Sequence, residues 1–376
     1  MTHIRRSVVA WTGAALVLAG CSGAPQAAAP RPAPPSASGL SASADPASFT
    51  VVATGDVLIH PALTDQATTD GGGTIDYREI LAGVKPLVAS ADLAICHLET
   101  PLAPEGGPYT GYPSFSAPPQ IAEAIKDTGY DTCSTASNHT LDKGAAGITR
   151  TLDKLDEVGL KHTGSARSAA EAAAPLILDV HGVKVAQLSF AFGFNGIKVP
   201  AGKPWLANEI DADDILAAAH TAREAGAQVV IASLHWGVEY QHSVTADQST
   251  LARKLLASPD VDLIVGHHAH VVQPFEKVEG KWVAYGLGNE IARHDDPRGS
   301  TEEGTAARFT FTRTGGHWAV SKAEYLPTLI DLGPPIRLRD LTTAPATARG
   351  TEALADTDKV VLSEGADRDG LTRPGK

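Results

Sequence analysis

Residues 262–274 read DLIVGHHAHVVQP. With Val261 before them, Leu263, Ile264 and Val265 make a short apolar run of the kind that forms a fully buried strand. Gly266 ends the run, and His267, His268 and His270 fall within the next four positions. Three imidazoles where a strand leaves the core have two readings. They are ligands of a metal ion, or they belong to a wet loop that happens to be rich in histidine. The remainder of the chain decides between them.

Working outward, the same kind of strand recurs at intervals, separated by helical patterns. SFTVVATGD, DLAICHLET, YDTCSTASNH and AQVVIASLHWG read as strands. LILDVHGVKVAQLSF reads as two strands about a His181-Gly182 turn. DYREILAGVKPLVASA reads as a helix kinked at Pro86, and PPQIAEAIKDTG as a helix with proline at its start. GAAGITRTLDKLDEVG, DADDILAAAHTAREAG and TADQSTLARKLLAS complete the helices. VQPFEKVEGKWVAYGLGN and AARFTFTRTGGHWAVSKAEYLPTLI read as hairpins. Strand and helix in alternation, followed by hairpins, predict a layered α/β domain with mixed sheet over residues 49–335. Beyond about 335 the chain turns polar and loses periodicity, so 336–376 reads as a loosely held tail. No internal repeat is present.

Composition narrows the function classes. The chain has 376 residues, 43% of them hydrophobic, which suffices for a sizeable core. Its net charge is −12 and no Lys/Arg-rich run occurs in the body, which argues against nucleic acid as a partner. MTHIRR followed by SVVAWTGAALVLAG has the charged and apolar regions of a signal peptide, shorter than the roughly 20 residues of a membrane span. LAGCSG then resembles a bacterial lipobox, with Cys21 as the lipidated residue closing a segment 1–21. Residues 22–48, rich in Ala, Pro and Ser, read as a flexible tether. The expectation is a domain outside the cell membrane, held to it by a lipid at Cys21. Cys96 and Cys133 lie in apolar strands; buried free thiols are the simple reading, and a disulfide is the alternative in an oxidising compartment.

The strand ends carry the chemistry. Asp56 ends the first strand and His60 follows; Glu99 ends the second; Asn138 and His139 end the third; His235 ends a later one; His268 and His270 end another. In open α/β sheets ligands bind outside the carboxyl ends of the strands, so residues far apart in sequence meet there. Oxygen and imidazole donors without thiolate suit divalent ions of the Mn, Fe or Zn class. Any one of these motifs has a bland explanation, a helix cap or a chance loop; five in order do not share one.

The ordered motifs, an acid after GD, an acid after a second strand, NH, a lone His and GHxH, resemble the metallophosphoesterase (calcineurin-like) pattern. In detail, TGDVLIH, HLETPL, SNHTLDKG, LHWGVEY, GHHAHVVQPFE and YGLGN resemble the CapA family of poly-γ-glutamate capsule synthesis proteins, over residues 51 to about 290. The resemblance implies an α/β sandwich of two mixed β-sheets flanked by helices, with a one- or two-metal centre at its edge. It departs from the usual first motif, because Asp56 is followed by Val57 and Leu58 and lacks the Asp-x-His histidine; His60 is the candidate substitute. His97 stands where the family has asparagine. By the resemblance His268 and His270 are ligands, and His267 is support.

Asp56, His60, Glu99, Asn138, His235, His268 and His270 are therefore the expected ligands. An alternating pair leaving a strand would direct both His268 and His270 to one side of the sheet edge. His139 is the expected general acid or base, with Asp142 three residues on to hold its tautomer. His235 has no evident orienting partner apart from metal. Trp236, Glu239 and Tyr240 are candidates to orient a peptide-like or sugar-like substrate, and Tyr285 and Asn289 to support the pocket floor. Two function classes follow. One is a metal-dependent hydrolase of the cell envelope acting on a phosphoester or γ-glutamyl amide. The other is a non-catalytic scaffold that assists a polyglutamate synthase or exporter.

Overall fold

The computed structural model describes residues 48–294 and 296–375. The signal segment, Cys21 and all but the last residue of the tether lie outside them. Among the described residues, fifteen strands and nine α-helices follow in order. The first half runs β1 (Ser48–Val57), α1 (Pro61–Asp70), α2 (Arg78–Leu81), α3 (Lys85–Val88), β2 (Leu93–Leu98), α4 (Gln120–Thr128), β3 (Thr132–Ser134), α5 (Gly144–Glu157) and β4 (Lys161–Thr163). Then come α6 (Ala169–Ala173), β5 (Leu176–Val180), β6 (Val183–Ala191), a 3₁₀ turn at Pro204–Leu206, α7 (Ala212–Glu224), β7 (Val229–His235), α8 (Ala246–Leu256) and β8 (Leu263–His267). The chain closes with β9 (Phe275–Val278), β10 (Lys281–Ala284), β11 (Asn289–Ile291), β12 (Glu303–Thr314), β13 (His317–Leu332), β14 (Ile336–Asp340), α9 (Ala348–Val361) and β15 (Leu371–Thr372). Among the described residues no helix is long and apolar enough to cross a membrane.

Two mixed sheets form the sandwich. One has the order β14-β13-β12-β1-β2-β3-β4, with β11 paired to β1 and β15 to β13. The other has the order β5-β6-β7-β8-β10-β9. In the first, β1 to β4 are parallel and β12 to β14 antiparallel. In the second, β6, β7, β8 and β10 are parallel, and β5 and β9 are antiparallel edges. The period of two sorts the side chains. Phe49, Val51 and Ala53 of β1 pack between the sheets with Val185, Ile231, Leu263 and Val265. Val52 turns the other way, towards α1, α4 and α5. Ala186, Leu188, Val230 and Ile264 turn to α7 and α8. Both faces of the central parallel strands are covered, which is why they read as unbroken apolar runs.

Several expectations are corrected. Residues 76–91 do not form one kinked helix; the chain breaks at Gly83 into the two short helices α2 and α3. A Cβ at Gly83 would lie 2.2 Å from the Leu338 carbonyl oxygen, so β14 runs against the backbone where a continuous helix would put side chains. The third strand stops at Ser134, well before Asn138. The loose tail is not loose. β14 extends the first sheet, and Val361, Ala366 and Leu371 are buried between the sheets. IRLRD does alternate, with Ile336, Leu338 and Asp340 buried, but five residues among polar neighbours give too short a signal to read. Cys96 and Cys133 are register partners on β2 and β3 and are joined as a disulfide, not free thiols.

Candidate metal centre

Register brings the site together. Asp56 of β1 pairs with His97 of β2, and His97 with Ser134 of β3. On the other sheet His235 of β7 pairs with His267 of β8. The two rows face each other where the sheets meet at the carboxyl ends of their parallel strands. Hydrogen bonds cross between them: His97 Nε2 to His235 Nδ1 at 3.0 Å, and His267 Nδ1 to Asp56 Oδ1 at 3.1 Å.

The tautomers of the His97 row follow from one fixed acceptor. Asn138 Oδ1 lies 3.0 Å from His235 Nε2, and an amide oxygen only accepts, so that nitrogen carries the proton. His235 Nδ1 then accepts from His97 Nε2–H, and His97 Nδ1 accepts from the Ser134 hydroxyl at 2.8 Å. Burial, with neighbouring imidazoles, holds both His97 and His235 well below the usual histidine range, so both are neutral. His235 is thus oriented by His97 and Asn138, contrary to the expectation that metal alone could orient it.

Around Asp56 the charges are held by protons. The His268 backbone N–H donates to Asp56 Oδ2 at 3.0 Å, and His270 Nδ1 stands 3.3 Å from the same oxygen. Burial opposes ionisation of Asp56, but the bonds from His267 and His270 outweigh it and keep the carboxyl well below its ordinary range. Burial pushes Glu99 well above that range. Burial also works against charge on His270, yet Glu99 and Asp56 raise it to about 9. His268, buried beside His270, falls to about 3.

The donors fit a metal. Three groups bring their ligand atoms within 4.8 Å of one another: Asp56, His97 and His267; Asp56, Glu99 and His270; and Glu239, His268 and His270. Asp56 and His270 belong to two groups each, so the three groups form one connected cluster. Both Glu99 carboxyl oxygens, His267 Nε2 and His268 Nδ1 are buried without a hydrogen-bond partner. Buried polar atoms are rarely left so, and clustered unpartnered lone pairs of oxygen and nitrogen mark a place for a borderline divalent cation.

His268 and His270 meet by a route other than strand alternation. β8 ends at His267, and the backbone then adopts φ of +91° at His268 and +56° at His270, a left-handed conformation that side-chain-bearing residues seldom hold. Such local strain gathers at functional sites. Glycine lets β8 approach: a Cβ on Gly266 would lie 1.9 Å from the Tyr285 carbonyl oxygen. His139 and Asp142 meet as expected, Nδ1 to Oδ2 at 2.8 Å. Asp142 Oδ2 also accepts the Phe115 N–H at 2.7 Å, which fixes the carboxylate. Asn289 Oδ1 lies 3.0 Å from His270 Nδ1 and steadies that ring.

Other expected residues sit elsewhere. His60 is absent from the three donor groups; it lines a cleft beside them, its ring 4.7 Å from that of His294. Trp236 is buried, stacks on Tyr285 and donates Nε1–H to the Tyr285 carbonyl at 2.8 Å, so it packs the core and cannot wall a substrate site. The Tyr285 hydroxyl bonds Glu276. Glu239 and Tyr240 do line the cleft. Sequence pattern leaves four contributors hidden. His97 reads only as a departure from the family, and His267 only as support. Asn195 accepts from the Asn138 amide at 3.3 Å, and Phe192 packs 4.5 Å from the His268 ring. A loop between strands gives no period by which either could be found.

A family model described as bacterial capsule synthesis protein PGA_cap matches residues 50–294, which include all the expected ligands. The chain belongs to the PGA_cap family. Among relatives of this PGA_cap chain, the capsule biosynthesis protein CapA of Bacillus anthracis is 29% identical over 180 residues, 47% of this chain and 44% of that protein. The PGA biosynthesis protein CapA of Bacillus subtilis is 29% identical over 175 residues, 46% and 45% of the two chains. The chain therefore spans less than half the length of these relatives. A probable polyglutamine synthesis accessory protein of Mycobacterium tuberculosis is 24% identical over 287 residues, 66% of this chain and 75% of that one. Of solved structures, the calcineurin-like phosphoesterase YfkN of Bacillus subtilis covers 84% of this chain at 15% identity, with a TM-score of 0.44 and 98% of its own chain aligned.

Proposed function

We propose that this PGA_cap protein is a metal-dependent hydrolase of the cell envelope, acting in the synthesis or processing of poly-γ-glutamate or a related capsule polymer. The observation that carries the reading is the set of buried, unpartnered donors on Glu99, His267 and His268 beside Asp56 and His270. The capsule and polyglutamine names of the relatives support the setting. The Cys96–Cys133 disulfide supports an oxidising compartment, in keeping with a lipid anchor at Cys21.

Bound divalent metal would supply Lewis-acid charge, lower the pKa of water and neutralise developing negative charge. Asp56, Glu99, His267, His268 and His270 would hold it, with Glu239 beside them, while His97, both of whose ring nitrogens are engaged by Ser134 and His235, would support the centre. Hydrolysis adds the hydroxyl of water to the acyl carbon or phosphorus and gives a proton to the leaving nitrogen or oxygen. His139 is the residue available for that proton. With Nδ1–H held by Asp142, its Nε2 is the atom that gives or accepts it.

The test is metal analysis of the purified chain together with a screen of phosphomonoesters, phosphodiesters and γ-glutamyl amides. Stoichiometric metal with metal-dependent turnover of one class is the expected result. Stoichiometric metal with no turnover on any class overturns the hydrolase. It would favour a scaffold that assists a synthase, a role the "accessory protein" name of the mycobacterial relative supports.

A further inference from the structure

The cleft beside the donor groups has a volume of about 220 Å³ and opens between the loops that follow β1, β2, β7 and β11. One wall is unusual. Tyr240 has φ of +63°, a strained conformation for an aromatic residue, and its N–H donates to the Ala269 carbonyl at 2.7 Å, within the His268–His270 turn. The loop that carries Glu239 and Tyr240 is thereby pinned to the metal-binding turn. Across the exposed face of the Tyr240 ring lies the Arg298 guanidinium, its Cζ 4.1 Å from the ring centroid. Stacking fixes the plane of the guanidinium and leaves its edge donors free. Two acids line the same cleft, Glu239 and Asp296, and among the described residues neither forms an ion pair with Arg298. Glu239 instead groups with His268 and His270. An arginine oriented by an aromatic ring, one ring away from a metal ligand (Tyr240 and His270 stand 6.1 Å apart, centroid to centroid) and, among the described residues, without a carboxylate of its own, is equipped to receive an anion.

We propose that Arg298, stacked on Tyr240, binds a second anionic group of the substrate, a carboxylate or a phosphate, separate from the group that reacts at the metal centre. The inference rests on the hydrolase reading for the identity of the occupant, and it adds the substrate class: a molecule with an anion one unit away from the bond that breaks. A chain of acidic residues linked by amides has that form, and so does a phosphorylated polyol.

The test is calorimetric binding to the manganese-loaded full chain, with metal content measured on the same samples. The probes are a γ-linked triglutamate, its methyl ester, and glycerol phosphate; the proteins are the native chain, Arg298→Ala and Arg298→Lys. Arg298→Ala should bind an anionic probe roughly 10–100-fold more weakly, keep its affinity for the ester and keep its metal. Arg298→Lys should recover part of the loss. Which anionic probe weakens tells carboxylate from phosphate. Equal affinity of native and Arg298→Ala proteins for both anions, or no binding of either anion to the native chain, overturns the proposal. Arg298-dependent binding without turnover of any probe leaves the anion subsite standing and counts against the hydrolase alone.

Discussion

His139 and Asp56 are both buried at the same sheet edge, yet their surroundings give them different work. Asp56 accepts from His267 and from the His268 backbone and stands between two donor groups. His139 has its Nδ1 on Asp142 and belongs to none of the groups. Asp56→Ala should therefore strip bound metal and leave the circular-dichroism spectrum native. His139→Ala should retain the metal and slow the chemical step by about 10²–10⁴-fold. Metal and turnover measured on the same preparations separate the two. Loss of metal from His139→Ala would make His139 a ligand and remove its role in proton transfer. Replacing His268 and His270 together by alanine should also abolish metal binding with the fold intact; wild-type metal content in that variant would mean the histidines form only a polar loop.

Single elements hold the site in place, and two of them make separate predictions. In β8, Gly266 passes against the backbone of Tyr285 and the indole of Trp236, so Gly266→Ala has no room. It should lower stability by about 1–3 kcal/mol or more, read as a fall in thermal midpoint. In β11, Glu290 is fully buried; one oxygen accepts from Tyr130 at 3.0 Å and the other has no partner. Burial pushes its carboxyl up to about 8 from 4.5. Between those values the folded chain keeps a proton that the unfolded chain has released. Its contribution to stability is therefore full below about pH 4.5 and declines as pH rises towards 8. Glu290→Gln keeps an acceptor for Tyr130 and removes the ionisation. Its melting temperature should exceed that of the native chain at pH 8, with the gap closing at pH 5. A gap of the same size at both values would mean that Glu290 does not titrate in this range.

The whole molecule is closed by its C-terminal segment. β14 and β15 both pair with β13, and Val361, Ala366 and Leu371 complete the layer between the sheets. Ending the chain at residue 335 should expose the edge of β13 and this apolar layer, giving an aggregating or molten product on gel filtration. A chain that starts at Ser48, the first residue of β1, should melt as the full chain does. A soluble, fully cooperative 48–335 fragment would show the C-terminal segment to be dispensable. At the same scale, the exposed large apolar residues Tyr112, Phe192, Ile197, Val238 and Tyr240 all lie on loops that follow β2, β6 and β7. Of these, Tyr112 and Tyr240 line the cleft itself.

The sequence by itself determined the layers and the side of the sandwich on which the site lies. Unbroken apolar runs such as VVIASL and DLIVG announce strands covered on both faces, and polar or charged residues at their ends announce the edge where ligands gather, because local pattern records burial directly. It also determined the pairing of His139 with Asp142, since three residues is a single turn of chain. The tertiary structure alone decided which imidazoles face which. His97 and His235 are 138 residues apart and meet only because their strands end opposite each other in different sheets. His267 joins the donor groups because β8 ends on it, and His268 and His270 converge through left-handed backbone that no alternation rule describes. Trp236 was drawn into the core by Tyr285, a contact across two strands. Arg298 acquired its place from a loop with no periodic signal at all. Sequence pattern reports how deeply a residue is buried and on which face; the identity of its partner depends on register and on backbone torsion, which are settled when the sheets pack.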